Sequence, residues 1–409
     1  MIADLPTKDG EISDKECVVA NGQLIEPNLQ FIRDVRKAGG DTVKSCYQCA
    51  TCSVVCSLSP AEKPFPRKEM LLAQWGQTDR LMADPDIWMC FQCNDCTQKC
   101  PRGARPGDVL AAIRSYMYKK FAFPSFMGRA VASPKALPIL LMVPVLILVF
   151  AILFMPKIGP NGDVLYLSSS TIDFDYFLRH SFVDALFVVG NIIIFLFASI
   201  GFVRFWKGLK SSGFQSQMSF MKALILTVKG ILAHSSFYDC DTNKPRALGH
   251  LLLFYGFIGA MITTGAVFVF IFIPHYLHLL GLEQLSAFFD LPVNLPHPVK
   301  ILGGLSGLAL VIGGGMLIVR RWQNRDNVGA NGYADYLFLY MLFLVGLTGM
   351  LSWATRLTGV PMLAYIVYFI HLVVVFFLLW YMPYSKFAHM IYRTLALVYA
   401  RSIGRTAGK

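Results

Sequence analysis

The stretch Cys46–Cys56, CYQCATCSVVC, contains four cysteines separated by two, two and three residues. A second run, CFQCNDCTQKCP at Cys90–Pro101, repeats this spacing and adds a trailing proline. The spacing is typical of loops that hold [4Fe–4S] clusters, in which three close cysteines wrap one cluster and the fourth reaches another. The repeat therefore predicts a domain that carries two such clusters.

On this pattern the fourth cysteines cross over between the runs. One expected ligand set is Cys46, Cys49, Cys52 and Cys100. The other is Cys90, Cys93, Cys96 and Cys56. Two structural zinc sites are the alternative, since thiolate quartets also suit tetrahedral Zn²⁺. Zinc sites generally use two separated cysteine pairs, so the compressed runs favour iron–sulfur clusters. The first run has Ser57 at the position that corresponds to Pro101 in the second run.

The composition indicates a membrane protein. Of 409 residues, 55% are hydrophobic and only 15% are charged, which is too apolar for a purely soluble enzyme. The formal charge of +12 comes from basic residues that flank apolar segments and form no stripe interleaved with aromatics. This arrangement argues against nucleic acid as a partner and fits an anionic membrane surface.

We expect an all-α protein with a helical two-cluster ferredoxin-like head and a six-helix membrane body. The patterns RKEMLLAQWG and PGDVLAAIRSYMYKK in the head are helical, and neither shows strand alternation. The expected segments are a leader at 1–40, the cluster domain at 41–120, a linker at 121–135, the membrane domain at 136–393 and a basic cytoplasmic tail at 394–409. The polar, acidic N-terminus lacks the features of a secretory signal, which predicts a cytoplasmic head. In a reducing compartment the ten cysteines favour metal ligation over disulfides.

Six apolar stretches approach or exceed the ~20 residues needed to cross a bilayer. They are Ala136–Met155, Val183–Trp206, Leu248–Ile273, Val299–Val319, Tyr336–Trp353 and Leu363–Tyr381.

The loops between these stretches differ in charge. Arg204–Arg246 holds seven Lys or Arg and Arg320–Arg325 holds three, whereas Pro156–Phe182 holds two and Pro274–Pro298 none. By the positive-inside rule the basic loops, and therefore both termini, lie on the cytoplasmic side of the inner membrane.

Histidines mark candidate haem ligands in the membrane body. His371 and His389 are eighteen residues apart in HLVVVFFLLWYMPYSKFAH. On one continuous helix they share a face about 27 Å apart, which suits two stacked haems. His250 begins the third apolar segment at the depth expected for His389, and a histidine in a membrane segment is a functional candidate by default.

The remaining histidines and cysteines are weaker candidates. His234 and Cys240 are expected to shape the inner surface, and Cys17 is isolated. The outer-side histidines are expected to be interfacial residues: His180, His275, His278 and His297.

The membrane body resembles the cytochrome b gamma subunit of membrane-bound respiratory nitrate reductase. The likeness runs from about Arg246 to Arg393 and rests on GGLSGLALVIGGGMLIVRR, ADYLFLYMLFLVGLTGML and the His371 segment quoted above. The resemblance implies quinol oxidation and two b haems, with His250 paired to His389 and His371 serving the outer haem. The second histidine of that family falls on Ala260 here, so the resemblance supplies no partner for His371.

The head resembles the small iron–sulfur component of heterodisulfide reductases, and the body resembles their membrane cytochrome component. A fusion of the two is similar to the membrane component of the quinone-interacting membrane-bound oxidoreductase of sulfate reducers. That resemblance implies menaquinone, cytoplasmic flavin and iron–sulfur partner subunits, and indirect electron exchange with adenylylsulfate reductase.

These features predict a membrane electron-transfer subunit with two [4Fe–4S] clusters, one or two b haems and a quinone as substrate. It lacks a nucleotide-binding motif and needs partner subunits. The quinone site is expected at His297 and Lys300 in NLPHPVK, although Lys300 is equally expected to snorkel at the interface.

Three alternatives stay open at this stage. One is a haem-free anchor for the ferredoxin-like head, and another is a quinol dehydrogenase of the nitrate reductase gamma type with a different terminal reductase. The third, an ion-pumping subunit, is disfavoured because the apolar segments contain almost no carboxylates.

Overall fold

The structure is a computed structural model that describes residues 26–155, 172–234, 244–269, 296–323 and 332–405. These residues are mostly helical, and the described part of the chain contains no β-strand. The prediction of a mostly helical protein is confirmed for this part of the chain. Cys17, Cys240, His275 and His278 lie outside the described residues.

The head is built from short helices around one longer helix. They are α1 (Leu29–Val35), α2 (Thr51–Val54), α3 (Arg67–Gln74), α4 (Thr78–Met82), α5 (Asp86–Met89), α6 (Asp95–Gln98) and α7 (Pro106–Phe121). The predicted helical patterns correspond to α3 and α7. Helix α7 begins with Pro106 at its first turn and ends with Lys119 and Lys120, as proline geometry and the helix dipole favour.

Helix α7 forms the centre of the head core. Its residues Val109 and Ile113 are completely buried, and α1 packs on it through Phe31 and Val35. Gly40, just after α1, permits this close packing, because a Cβ there would lie 2.7 Å from a methyl of Val35. The last part of the expected leader therefore belongs to the cluster domain.

The segment expected as a linker contains a helix, α8 (Ser125–Val131). It packs back on α7 and on the first membrane helix. Gly128 lies against Ala122, where a Cβ would be 3.2 Å away, and Val131 is buried. Small and apolar residues on one face therefore hold the connection against the head.

The membrane body contains the remaining helices up to residue 381. They are α9 (Leu137–Phe154), α10 (Phe174–Phe177), α11 (His180–Asp184), α12 (Gly190–Lys210), α13 (Phe220–Ala233), α14 (Lys244–Val267), α15 (Pro298–Gln323), α16 (Tyr333–Leu357) and α17 (Pro361–Tyr381). Six helices among the described residues are long and apolar enough to span a membrane: Pro134–Phe154, His180–Lys210, Arg246–Val267, Pro298–Gln323, Tyr333–Leu357 and Pro361–Tyr384. Each overlaps one predicted stretch, although the end of Leu248–Ile273 lies outside the described residues.

Glycines bring α14 and α15 into close contact. A Cβ at Gly313 would lie 2.7 Å from the backbone nitrogen of Leu253, and one at Gly256 would lie 3.0 Å from the backbone of Leu310. Small residues at such crossings let helix backbones approach closely, which is how helices associate in lipid. This packing positions α14, the helix that carries His250.

The expectation that His371 and His389 share one continuous helix is wrong. Helix α17 ends at Tyr381, and two 3₁₀ turns, Met382–Tyr384 and Lys386–Ala388, precede a new helix, α18 (His389–Ser402). Pro383 lacks the backbone N–H that a continued helix requires and clashes with the preceding turn. His389 therefore begins α18, and the distance expected along a single helix does not apply.

Helix α18 joins the membrane body to the head. Tyr392 is almost completely buried, with its ring 6.1 Å from that of Trp88 in α5 and 5.1 Å from that of Phe205 in α12. One apolar core therefore runs from the head through α18 to the membrane helices. Most of the expected tail is thus a packed helix.

A buried ionic cluster fixes the end of this helix to the head. The Lys68 ammonium lies 3.2, 2.8 and 2.9 Å from carboxylate oxygens of Glu69, Asp84 and Asp86, and Arg405 pairs with Asp86 through two guanidinium nitrogens. Burial raises the pKa of Glu69 well above its usual value. Burial alone would lower the pKa of Lys68, but the carboxylates hold it above its usual value. The cluster is thus an internally paired ionic network.

Replacing Arg405 by Ala is expected to loosen the C-terminal end of α18. The change leaves the Asp86 carboxylate with Lys68 as its remaining cation, which we expect to cost about 2 kcal/mol of local stability. Hydrogen exchange followed by mass spectrometry on the purified full chain should show faster exchange at Ala400–Arg405. Arg401→Ala, in the same helix, is the matched control, and equal exchange in the two variants would contradict the prediction.

Candidate functional site

The two cysteine runs have the same backbone conformation. In the first run Gln48 and Ala50 have positive φ angles of 60° and 68°, and in the second run Gln92 and Asn94 have 52° and 70°. Residues other than glycine rarely adopt this conformation, which costs free energy and persists where the surroundings impose it. Each pair falls two and four residues after the first cysteine of its run, so the sequence repeat is also a structural repeat.

Backbone N–H groups point at the sulfurs. The N–H of Gln48 donates to Cys46 Sγ at 3.4 Å, and the N–H of Gln92 donates to Cys90 Sγ at 3.3 Å. The N–H of Ala104 donates to Cys100 Sγ at 3.3 Å. Such donors favour the charged form of a thiol and tune the potential of a bound cluster.

The structure brings the first three cysteines together with Cys100. The pKa of Cys46 is raised, first by burial, and the thiols of Cys100 and Cys49 act on it in the same direction. The pKa of Cys52 is raised to about 11, first by burial and then by neighbouring thiols: Cys46, Cys49 and Cys100. Cys46 and Cys52 therefore each lie within electrostatic reach of Cys49 and Cys100, and a bound cation would relieve the repulsion of their thiolates.

The second run gathers with Cys56. The pKa of Cys96 is raised, first by burial and then by the thiols of Cys90, Cys56 and Cys52. Cys56, Cys90 and Cys93 pack against the same small apolar cluster, which includes Leu58 and Phe65. All eight cysteines are free of disulfides, as thiolate ligation of a metal requires.

The two groups of thiols differ in their surroundings. Phe91, between Cys90 and Cys93, contacts the membrane body: its carbonyl accepts from Arg246 at 3.3 Å, and its ring centroid lies 4.1 Å from the guanidinium of Arg393. Cys49 in the first run is exposed. The second run thus faces the membrane helices, and the first run faces outward.

His389 lies beside this junction, one helical turn before Arg393. Its Nδ1 meets the backbone carbonyl of Lys386. A carbonyl can only accept, so Nδ1 carries the proton and Nε2 keeps its lone pair. Burial, then the charge of Lys386, lowers the pKa of His389 to about 3, which keeps the ring neutral. A neutral ring anchored through Nδ1 is the form in which histidine binds a metal.

The charge of His389 acts on His250, and Phe257, on the helix that carries His250, packs 5.0 Å, centroid to centroid, from Phe387, two residues before His389. The ring of His250 is also 5.4 Å, centroid to centroid, from that of His234. Nδ1 of His234 lies 3.1 Å from the carbonyl of Leu232, so its Nε2 is likewise the basic nitrogen. The sequence prediction missed this neighbour because it treated residues 204–246 as a loop. The amphipathic pattern of α13 was the available signal.

His371 occupies a separate place in the membrane body. Its Nδ1 lies 2.9 Å from Thr348 Oγ1, and that hydroxyl donates to the Leu344 carbonyl at 2.7 Å. The hydroxyl therefore accepts from Nδ1–H, leaving Nε2 basic. Gly349 leaves room for the His371 ring, because a Cβ at this position would lie 3.2 Å from His371 Cε1.

Cations surround His389 and the second cysteine run. His389 experiences the positive charges of Arg114, Lys386 and Arg393. Arg393 in turn experiences those of Arg114 and Arg246. Burial, followed by Arg114, lowers the pKa of Arg393 to about 10. Nη2 of Arg393 is buried and has no hydrogen-bond partner among the described residues. Buried cations require anionic partners, and the two propionates of a haem are of the right kind.

The expected quinone residues lie at the start of α15. Lys300 Nζ is 5.4 Å from the ring centroid of Trp353, and His297 Nδ1 accepts from the N–H of Val299 at 3.3 Å. His180, another outer-side histidine, is paired with Asp175 at 2.6 Å. These contacts are compatible with the snorkelling alternative for Lys300.

Comparison with known proteins supports the head most strongly. Residues 42–104 match the family described as a 4Fe-4S dicluster domain. The C component of the H(2):CoB-CoM heterodisulfide,ferredoxin reductase of Methanothermobacter marburgensis is 30% identical over 102 residues, which cover 25% of this chain and 53% of the relative. A protein of Archaeoglobus profundus that is described as like the C component of heterodisulfide reductase is 33% identical over 92 residues, covering 22% and 49%. The chain thus spans about half the length of these relatives.

One relative matches along almost the whole chain. Citrate utilization protein B of Escherichia coli is 26% identical over 399 residues, covering 92% of each chain. No solved structure matches. The protein therefore has an N-terminal iron–sulfur electron-transfer domain similar to the C component of heterodisulfide reductase, followed by membrane-like helices, and it resembles a citrate utilization protein B over its full length.

Proposed function

We propose that this chain is a membrane electron-transfer subunit that links a quinone in the lipid, through b haem, to two [4Fe–4S] clusters and cytoplasmic partner subunits. The observation that carries the proposal is the contact of Phe91 with Arg246 and Arg393. Phe91 lies inside the second cysteine run, whereas the two arginines flank His250 and His389. Phe91 thus connects the candidate cluster ligands of the second run to the arginines beside the candidate haem ligands.

The cluster ligands are proposed to cross between the runs. Cys46, Cys49 and Cys52 join Cys100 at the outward-facing cluster. The cluster that faces the membrane takes four cysteines, one of them from the first run: Cys90, Cys93, Cys96 and Cys56. The thiols that act on Cys46 and Cys52 support the first set, and those of Cys90 and Cys56, which act on Cys96, support the second. Two clusters held in one small domain are close enough to exchange electrons.

The histidine and arginine side chains fit a b haem at the junction. His389 and His250 would hold the haem iron through ring nitrogens, and the buried Nη2 of Arg393 would pair with a propionate. A bound haem supplies one-electron chemistry. His371, whose Nε2 is basic and whose ring lies beside Gly349, is assigned to a second haem on the other side of the body.

His234 is a second candidate for the inner axial position. Its ring lies 5.4 Å from that of His250, and its Nδ1–H is anchored to a backbone carbonyl as in His389. Either His389 or His234 can therefore complete a pair with His250. Variants of the two residues distinguish the arrangements.

The orientation and the electron partners follow from the charge pattern and the resemblances. We place the head and both termini in the cytoplasm, with menaquinone as the lipid substrate near His297 and Lys300. Flavin and iron–sulfur subunits are the proposed partners. Sulfate respiration through adenylylsulfate reductase is one setting for them.

The likeness to a citrate utilization protein B over 92% of each chain favours a second setting, in which the electron exchange serves the use of citrate. Identification of the co-purifying subunits, and of the soluble donor or acceptor that exchanges electrons with the clusters, tests the two settings.

Serine variants of the cysteines test the crossed ligand sets. We expect Cys100→Ser to alter the same paramagnetic signal of the reduced protein as Cys49→Ser, because both serve the outward cluster. Cys56→Ser should match Cys93→Ser instead. Electron paramagnetic resonance and iron analysis of each purified variant provide the measurement. Pairing of Cys100→Ser with Cys93→Ser, or zinc in place of iron, would overturn the assignment.

Alanine variants of the histidines test the haem ligands. We expect His250→Ala and His389→Ala to abolish the same b-type absorbance band and to stop quinol from reducing the clusters. His371→Ala should remove a different band, and His234→Ala should leave the inner band in place. If His234→Ala and His250→Ala remove one band and His389→Ala spares it, His234 is the ligand. Absence of any b-type band from the unaltered protein would support the haem-free anchor, and a band that persists in every variant would rule out these histidines as ligands.

A further inference from the structure

An exposed face surrounds Cys49 on the side of the head where the first cysteine run lies. Tyr47 is 68% exposed and Val54 is 83% exposed, which is unusual for large apolar side chains next to a buried cysteine such as Cys52. Tyr47 lies two residues before Cys49, and Val54 ends the short helix α2 five residues after it. We call Tyr47, Cys49, Val54 and the cations described next the Cys49 face.

Three exposed cations belong to this face: Lys44, Arg67 and Arg102. Lys44 lies two residues before Cys46, the first cysteine of the first run. The backbone N–H of Arg67 donates to Ser53 Oγ, within the first run, at 3.2 Å. The face therefore combines apolar contact area with positive charge at the cysteine through which solvent reaches the outward cluster site.

One of these cations is held in place. The Arg102 guanidinium lies 4.0 Å from the ring centroid of Tyr47 and donates to the Tyr47 hydroxyl at 2.8 Å. Arg102 follows the second run and Tyr47 belongs to the first, so this contact joins the two runs at the surface. An immobilised arginine on an aromatic ring loses little entropy on binding, which favours recognition of a carboxylate.

The opposite side of the head is already covered. Leu397 and Ala400 of α18 pack against the apolar residues beside the second run, and Arg393 covers Phe91. The Cys49 face is therefore accessible to a cytoplasmic protein that exchanges electrons with the clusters, whereas the second run is covered.

We propose that the Cys49 face is the docking surface for the soluble redox partner and that this partner presents an acidic patch around its own cofactor. The inference rests on the proposed electron-transfer function and adds the surface and the charge of the partner. Complementary charge steers association and raises its rate by tenfold or more, with a strong dependence on salt.

Electron exchange with proteins of opposite charge tests the proposal. The cluster-loaded full chain is reduced with dithionite and mixed with an oxidised acidic ferredoxin or with basic cytochrome c in a stopped-flow instrument. We expect the triple variant Lys44→Glu, Arg67→Glu, Arg102→Glu to react with ferredoxin about tenfold more slowly at low ionic strength, and to lose most of the salt dependence. Its reaction with cytochrome c should become faster. Iron content and absorbance spectra establish that the variant retains its clusters, and Lys44→Glu alone should show a smaller change in the same direction.

Arg80→Glu is the matched control, because Arg80 is an exposed cation of the same domain on α4. Equal losses in Arg80→Glu and the triple variant, or an unchanged salt dependence of the ferredoxin reaction in the triple variant, would overturn the proposal. Chemical reduction keeps this test separate from the proposed function: a chain that quinol fails to reduce would contradict that function but still report on docking.

Photocrosslinking identifies what occupies the face in the membrane. With benzoylphenylalanine at Val54, we expect an adduct with an acidic flavin or iron–sulfur protein that disappears in the triple variant. The same probe at Leu29, which is 60% exposed on α1, should give no such adduct. Adducts only with lipid or with a second copy of this chain would contradict the proposal.

Discussion

The junction at α18 is the constraint on which the rest of the structure depends. Pro383 ends the last membrane helix, and the chain turns before it starts again at His389. Without that break the next residues would continue away from the bilayer, and Tyr392 would not reach Trp88 and Phe205. The apolar core formed there makes the head and the membrane body one packed unit, which keeps the candidate redox groups at fixed distances.

Charge balance gives the junction its chemistry. Arg246 and Arg393 are held between thiols on one side and histidines on the other. Burying a cation without a nearby anion costs free energy. Negative charge close to Arg246 and Arg393 therefore stabilises the junction. Thiolate-bound clusters and haem propionates both supply such charge. The cations would also make a nearby redox centre easier to reduce.

The sequence predicted the membrane helices and the cysteine loops because both depend on local patterns. Apolar runs of sufficient length reveal spanning helices, and the cysteine spacing marks the loops. The left-handed conformation of Gln48 and Ala50 could not be predicted, since neither residue favours it and the sulfur geometry imposes it. The break at Pro383 was visible in the sequence, but the matching spacing of His371 and His389 suggested a continuous helix. The approach of His234 to His250 is a tertiary contact: the amphipathic pattern of α13 indicates the helix that His234 ends but not the residue it meets.

The proposed crossing of the cysteine runs also explains why the two ends of the head differ. Because the second run ends beside the first set of thiols, residues that follow it, including Arg102, are delivered to the surface around Tyr47. Cys56, the last cysteine of the first run, packs beside the second run, which faces α18. Each end of the head is thus built from both runs: one end is covered by apolar side chains and arginines of the membrane body, and the other is basic and open. The two cysteine runs have nearly the same sequence pattern but different neighbours. One run therefore faces the membrane body, and the other faces outward.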